Sequence, residues 1–128
     1  MNTKAVFIVT ALLLVAVATA GVFHLIKKKP DQTSLTAATT MLEALPEIQT
    51  IQKAVIAAGR KPFFVLEQEN KNTVTISLKE SFPQDQHTNR IDTFKIDLTT
   101  KTIMVYDITT DSYVPLEEWK KSVKERFL

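Results

Sequence analysis

The hydrophobic pattern changes period three times along the chain. From Ala5 to Ile26 the sequence AVFIVTALLLVAVATAGVFHLI runs 22 residues without a formal charge. A helix of that length reaches roughly 33 Å, enough for a hydrocarbon core of about 30 Å. Lys27, Lys28, Lys29 and Pro30 end the run. Further on, Ile48, Ile51, Val55 and Ile56 recur at i, i+3, i+7 and i+8, with Gln49, Gln52 and Lys53 on the other side. This spacing predicts an amphipathic helix over 46–58, with Pro46 at the tolerated first position and Gly59 as its left-handed terminator. Helix formers from Leu35 to Leu45 predict a shorter helix before it.

Beyond Pro62 the period falls to 2. Phe63 to Leu66 begins a strand, Asn70-Lys71-Asn72 is turn chemistry, and Val74, Ile76 and Leu78 alternate with Thr75, Ser77 and Lys79. After the polar run 83–89 (PQDQHTN), Phe94, Ile96 and Leu98 alternate with Thr93, Lys95 and Asp97. A turn at Thr99-Thr100-Lys101 leads to Ile103-Met104-Val105-Tyr106, apolar on both faces, which places that strand centrally or under a helix. Leu116, Trp119, Val123 and Phe127 then recur at i, i+3, i+7 and i+11, with Glu117 and Lys121 as an i, i+4 ion pair. The prediction is an α+β fold: an N-terminal transmembrane helix, then a helix, a four-stranded antiparallel meander and a C-terminal helix. Residues 1–29 form the anchor with its basic flank, 30–36 a linker, and 37–128 a single α+β domain.

Composition sharpens this picture in two places. The absence of Cys excludes a disulfide scaffold, a thiol nucleophile and a Cys-ligated metal site. Four of the 16 cationic residues, Lys4 and Lys27 to Lys29, flank the apolar run, whereas all 14 acidic residues lie from Asp31 onward. The net charge of +2 therefore hides a domain of net −2, which removes the main support for nucleic-acid binding.

The apolar run has two possible fates. Ala18-Thr19-Ala20 before Gly21 has the small-x-small form of a signal-peptidase site. Cleavage there would leave GVFHLI ahead of three lysines, an arrangement expected for the end of a membrane helix, so an uncleaved anchor through residues 5–26 is the favoured reading. Flanking charges are nearly balanced. The layout of a short anchor carrying a domain of about 100 residues favours a single-pass protein of the cell membrane with its domain outside the cytoplasm, in a periplasmic setting.

The segment from Pro46 to Asp107, and within it FKIDLTTKTIMVYD (94–107), resembles the PepSY and cystatin-like small envelope domains, in which one helix precedes a curved antiparallel meander. Lys101 stands where the PepSY turn usually has Gly. The resemblance implies an inhibitory, chaperoning or scaffold role rather than catalysis, and carries no functional residue across.

Chemistry in the sequence is sparse. Ser81, Asp85 and His87 lie close together, but a polar hairpin loop rarely supplies a buried, oriented base. Glu67 and Glu69, two apart on a strand, share a face and form a conceivable acid pair, though edge glutamates also keep a strand soluble. Of Phe63, Phe64, Phe82, Tyr106, Tyr113, Trp119 and Phe127, at least five are expected to pack inside. The candidate protein contact is Phe82, Gln84, Gln86, His87 and Arg90, an apolar anchor among hydrogen-bonding groups on a connection longer than a hairpin needs. The sequence therefore predicts a non-enzymatic, membrane-tethered domain, without cofactor or metal, that binds or assembles with another envelope protein. The alternative is a carboxylate-dependent hydrolase or peptidoglycan-directed enzyme of the envelope.

Overall fold

The structure, a computed structural model, describes residues 29–128. The apolar run 5–26 expected as a membrane helix lies outside the described residues. None of the helices among the described residues is long and apolar enough to cross a membrane.

Helix starts before the sequence pattern places it. Asp31 caps helix α1 (Gln32–Glu43), its carboxylate accepting from the Thr33 N–H at 3.0 Å and from the Ser34 hydroxyl at 3.2 Å. That satisfies one of the orphan donors at the helix N-terminus, worth about 1 kcal/mol for a cap of this type. The Ser34 hydroxyl also lies 3.1 Å from the Lys71 carbonyl, and the Asp31 N–H donates to Gln68 Oε1 at 2.6 Å. The stretch expected as a linker over 30–36 is thus mostly the first turn of a docked helix. The sequence hid this because the stretch is polar, and a cap with a short buried face of Ser34, Ala38 and Leu42 carries little hydrophobic signal.

Helix α2 (Pro46–Ala57) follows, with Ile48, Ile51 and Val55 buried. Ile56, expected in the same stripe, is instead 61% exposed, because the docked face is narrower than the apolar one. Gly59 ends the turn at φ +77°, the left-handed conformation glycine adopts without steric cost.

Five strands then run as an antiparallel meander in sequence order: β1 (Lys61–Asn70), β2 (Thr73–Ser81), β3 (Thr88–Asp97), β4 (Thr102–Asp107) and β5 (Ser112–Pro115). The expected four strands become five. Tyr113 and Val114 pair with Tyr106 and Val105 through a tight turn in which Asp111 takes φ +50°. A strand of four residues directly before a helix is too short to show a period. Helix α3 (Leu116–Phe127) closes the chain, and its Glu117 pairs with Lys120 at 3.1 Å rather than with Lys121.

The three helices among the described residues contribute to one core, completed by the sheet's alternate residues. Val74, Ile76 and Leu78 of β2, Phe94 and Ile96 of β3, and Val105 of β4 are buried with Leu42, Ile48, Ile51, Val55, Trp119 and Val123. The Phe94 and Trp119 rings meet edge to face, centroids 5.1 Å apart at 89°, a favoured aromatic geometry. The register places Phe63, Val65, Glu67, Ser77, Lys79, Thr93, Lys95, Met104, Tyr106 and Tyr113 on the opposite face, which no described helix covers.

Candidate functional site

That uncovered face is organised in rows across the strands. In the middle row Val65 lies opposite Ser77, and Ser77 opposite Thr93. The two hydroxyls are 3.2 Å apart, and Thr93 is only 8% exposed although nothing packs above it but its neighbours' side chains. Short residues between longer ones make a trough. Its far wall is Tyr106 with Tyr113, rings inclined at 65° and centroids 5.6 Å apart.

Cations line the rows on either side. The Arg90 guanidinium lies 5.7 Å from the Tyr106 ring centroid, and the Lys95 ammonium 5.2 Å from that of Tyr113. Each holds its partner ring in place through the ring's negative face. The Tyr106 hydroxyl donates to Asp111, and this bond raises the phenol's pKa above its ordinary value by stabilising the protonated form. Aromatic rings fixed by neighbouring cations, with hydroxyls at the floor, suit contact with another polypeptide.

Three of the seven aromatic residues expected to be mostly core therefore lie on this face. Phe63 and Tyr106 are half-buried, and Tyr113 is exposed. Only Phe64, Trp119 and Phe127 of that set pack into the core. The signal that could have found Tyr106 was the doubly apolar β4. Its second face is solvent-facing rather than helix-covered.

The predicted contact residues are not one patch. The Phe82 N–H donates to the His87 carbonyl at 3.1 Å, so only residues 83–86 form the hairpin tip. The connection between β2 and β3 runs over 82–87, and this hydrogen bond narrows its tip to four residues. Phe82 and His87 stack with centroids 4.1 Å apart at 11°, and the Arg60 guanidinium lies 4.7 Å from the Phe82 centroid while binding Glu80 at 3.0 and 3.1 Å. These residues continue the helix-covered face of β2. Gln84 and Gln86 are exposed at the tip, Gln86 with φ +60°. Arg90 belongs to the other face, over Tyr106.

Of the candidate catalytic groups, Ser81, Asp85, His87 and Glu69 are engaged by neighbours, whereas Glu67 belongs to no ion pair among the described residues. His87 Nδ1 lies 2.6 Å from Asp85, whose carboxyl is lowered below its ordinary pKa by that bond, while the Ser81 hydroxyl sits 3.5 Å from the Lys61 carbonyl instead of meeting the imidazole. Glu69 accepts from Thr75 at 2.7 Å and pairs with Lys95 at 3.2 Å. Both contacts, the Thr75 bond foremost, lower its pKa, the reverse of what a general acid needs. Among the described residues no group of three His, Asp or Glu side chains is placed to hold a metal ion.

A second concavity of about 600 Å³ opens where β3 and β4 separate beyond Phe94 and Val105. Arg126 of α3 crosses it to bind Asp92 at 3.0 Å.

Neither a family model nor a curated protein nor a solved structure matches the chain.

Proposed function

We propose that the chain is a non-enzymatic domain, tethered to the membrane through residues 5–26 and lying outside the cytoplasm, that binds another envelope protein across the open face of its sheet. The observation that carries this reading is the row of short side chains Val65, Ser77 and Thr93 leading to the Tyr106–Tyr113 pair. Leaving aromatic surface in water is unfavourable, and a fold with three helices has apolar cover to offer. The three helices among the described residues all lie on the other face. The tether is supported by the uncharged 22-residue run, and a tethered domain meets neighbouring membrane proteins at high effective concentration.

Recovery from membranes in mild detergent tests this reading. The full chain is expected to retain a stoichiometric partner, and the double variant Tyr106→Ala, Tyr113→Ala to lose it at least tenfold, since aromatic anchors of this kind each contribute about 1–2 kcal/mol or more. Its thermal unfolding is expected to stay close to that of the parent, because neither ring belongs to the core. Undiminished recovery by a folded variant would remove this face as the contact.

A further inference from the structure

We propose that the outer edge of β1 pairs with the same edge of a second copy of this chain, antiparallel about Phe64. Among the described residues β1 is the first strand of the sheet and pairs only with β2, which leaves one side of its backbone without a ladder. Val65 and Leu66 on this edge are 44% and 37% exposed. An open edge with apolar residues is a template for another strand, and proteins guard such edges with charge or proline.

The charges on this edge do more than guard it. Lys61 lies near one end and Glu67 near the other, three residues on either side of Phe64. Both point to the open face, and neither belongs to any ion pair among the described residues. A two-fold axis through Phe64 sets Lys61 of each copy opposite Glu67 of the other. The same axis sets Phe63 opposite Val65, an aromatic and β-branched pair of the kind that stabilises neighbouring strands, while Pro62, opposite Leu66, offers no N–H to the ladder and keeps the paired stretch short. Isologous pairing demands a surface complementary to itself, and this seven-residue stretch is self-complementary in charge and in apolar contact. An unrelated strand would meet charges it does not match.

The stretch also ends where it should. At Gln68 the side chain is engaged by the Asp31 N–H, and Lys29 to Asp31 run past Leu66 to Lys71, so chain entering the domain occupies the space beyond. Pairing over Lys61–Glu67 reaches that approach only at its Leu66 and Glu67 end.

Charge exchange in the full chain, purified in mild detergent and followed by sedimentation over a range of protein concentrations, tests the proposal. Wild type is expected to dimerise reversibly. Lys61→Glu and Glu67→Lys are each expected to weaken dimerisation about tenfold, because each places two like-charge pairs in one interface. Combining them restores the pairs and is expected to return the dissociation constant to within about twofold of wild type. Val65→Lys, at an exposed position that does not disturb the core, is expected to abolish the dimer while leaving thermal unfolding unchanged. A chain that stays monomeric throughout, or a dimer indifferent to these substitutions, would overturn the proposal. Partner recovery through Tyr106 and Tyr113 is a separate readout, so failure of either leaves the other standing.

Discussion

Replacing Trp119 with Ala is expected to lower the free energy of unfolding by about 3–5 kcal/mol, the range for deleting a large buried aromatic ring. The ring is 4% exposed and makes the edge-to-face contact with Phe94, itself wholly buried. It is also the principal anchor of α3, whose only other fully buried side chain is Val123. The indole itself offsets part of the loss. Its Nε1 is buried and finds no acceptor among the described residues, so truncation also removes an unsatisfied donor, which points to the lower half of the range. For a domain of this size even that is a large share of a total of about 5–15 kcal/mol. Trp119 is the single Trp of the chain, so the variant must be followed by far-ultraviolet circular dichroism in urea rather than by fluorescence. An unchanged midpoint would mean that α3 does not dock on the sheet.

Leu42→Ala carries the second large effect, about 2–5 kcal/mol, and it tests whether the segment after the anchor is part of the fold. Leu42 is fully buried between α1 and the rest of the core. Thr36, exposed on the same helix, supplies the control: Thr36→Ala is expected to change stability by no more than about 0.5 kcal/mol. Were 30–45 a loose tether, both substitutions would be equally silent in the same urea titration.

These two buried residues, Trp119 and Leu42, also mark how legible the fold was. Trp119 stood in an i, i+3, i+7, i+11 stripe that only a helix satisfies, and the strands of β2 and β3 alternated over enough residues to fix which side faces in. Leu42 had only Ala38 and Ser34 beside it, so the helix that buries it depends on the Asp31 cap and on contacts with the β1–β2 turn, which sequence spacing does not display. The fifth strand was hidden for a similar reason. Four residues cannot show an alternation, and their pairing with β4 is set by the Asp111 turn.

The candidate site was the less legible part. Periodicity separates two faces of a strand but does not say which one the helices cover when both are apolar, as in β4. Tyr106 and Tyr113 therefore looked like core. Conversely, the loop containing Phe82 and His87 looked free because its length was counted from composition. The Phe82–His87 hydrogen bond shortens it, and stacking with Arg60 ties it to the end of α2. Arg90, grouped with that loop in the sequence, lies instead beside Tyr106, where β3 brings it onto the open face.

The measurement that bears most directly on partner binding through this face is site-specific photo-cross-linking in cells making the full chain. A benzophenone side chain placed at Tyr106 reports on the open face, and one at Ile56, 61% exposed on α2, reports on the helical side. Ultraviolet irradiation is expected to give a discrete adduct larger than the chain with the probe at Tyr106 and none with the probe at Ile56. An adduct at Ile56 with none at Tyr106, or equal labelling at both, would contradict the assignment of the sheet's open face as the partner surface.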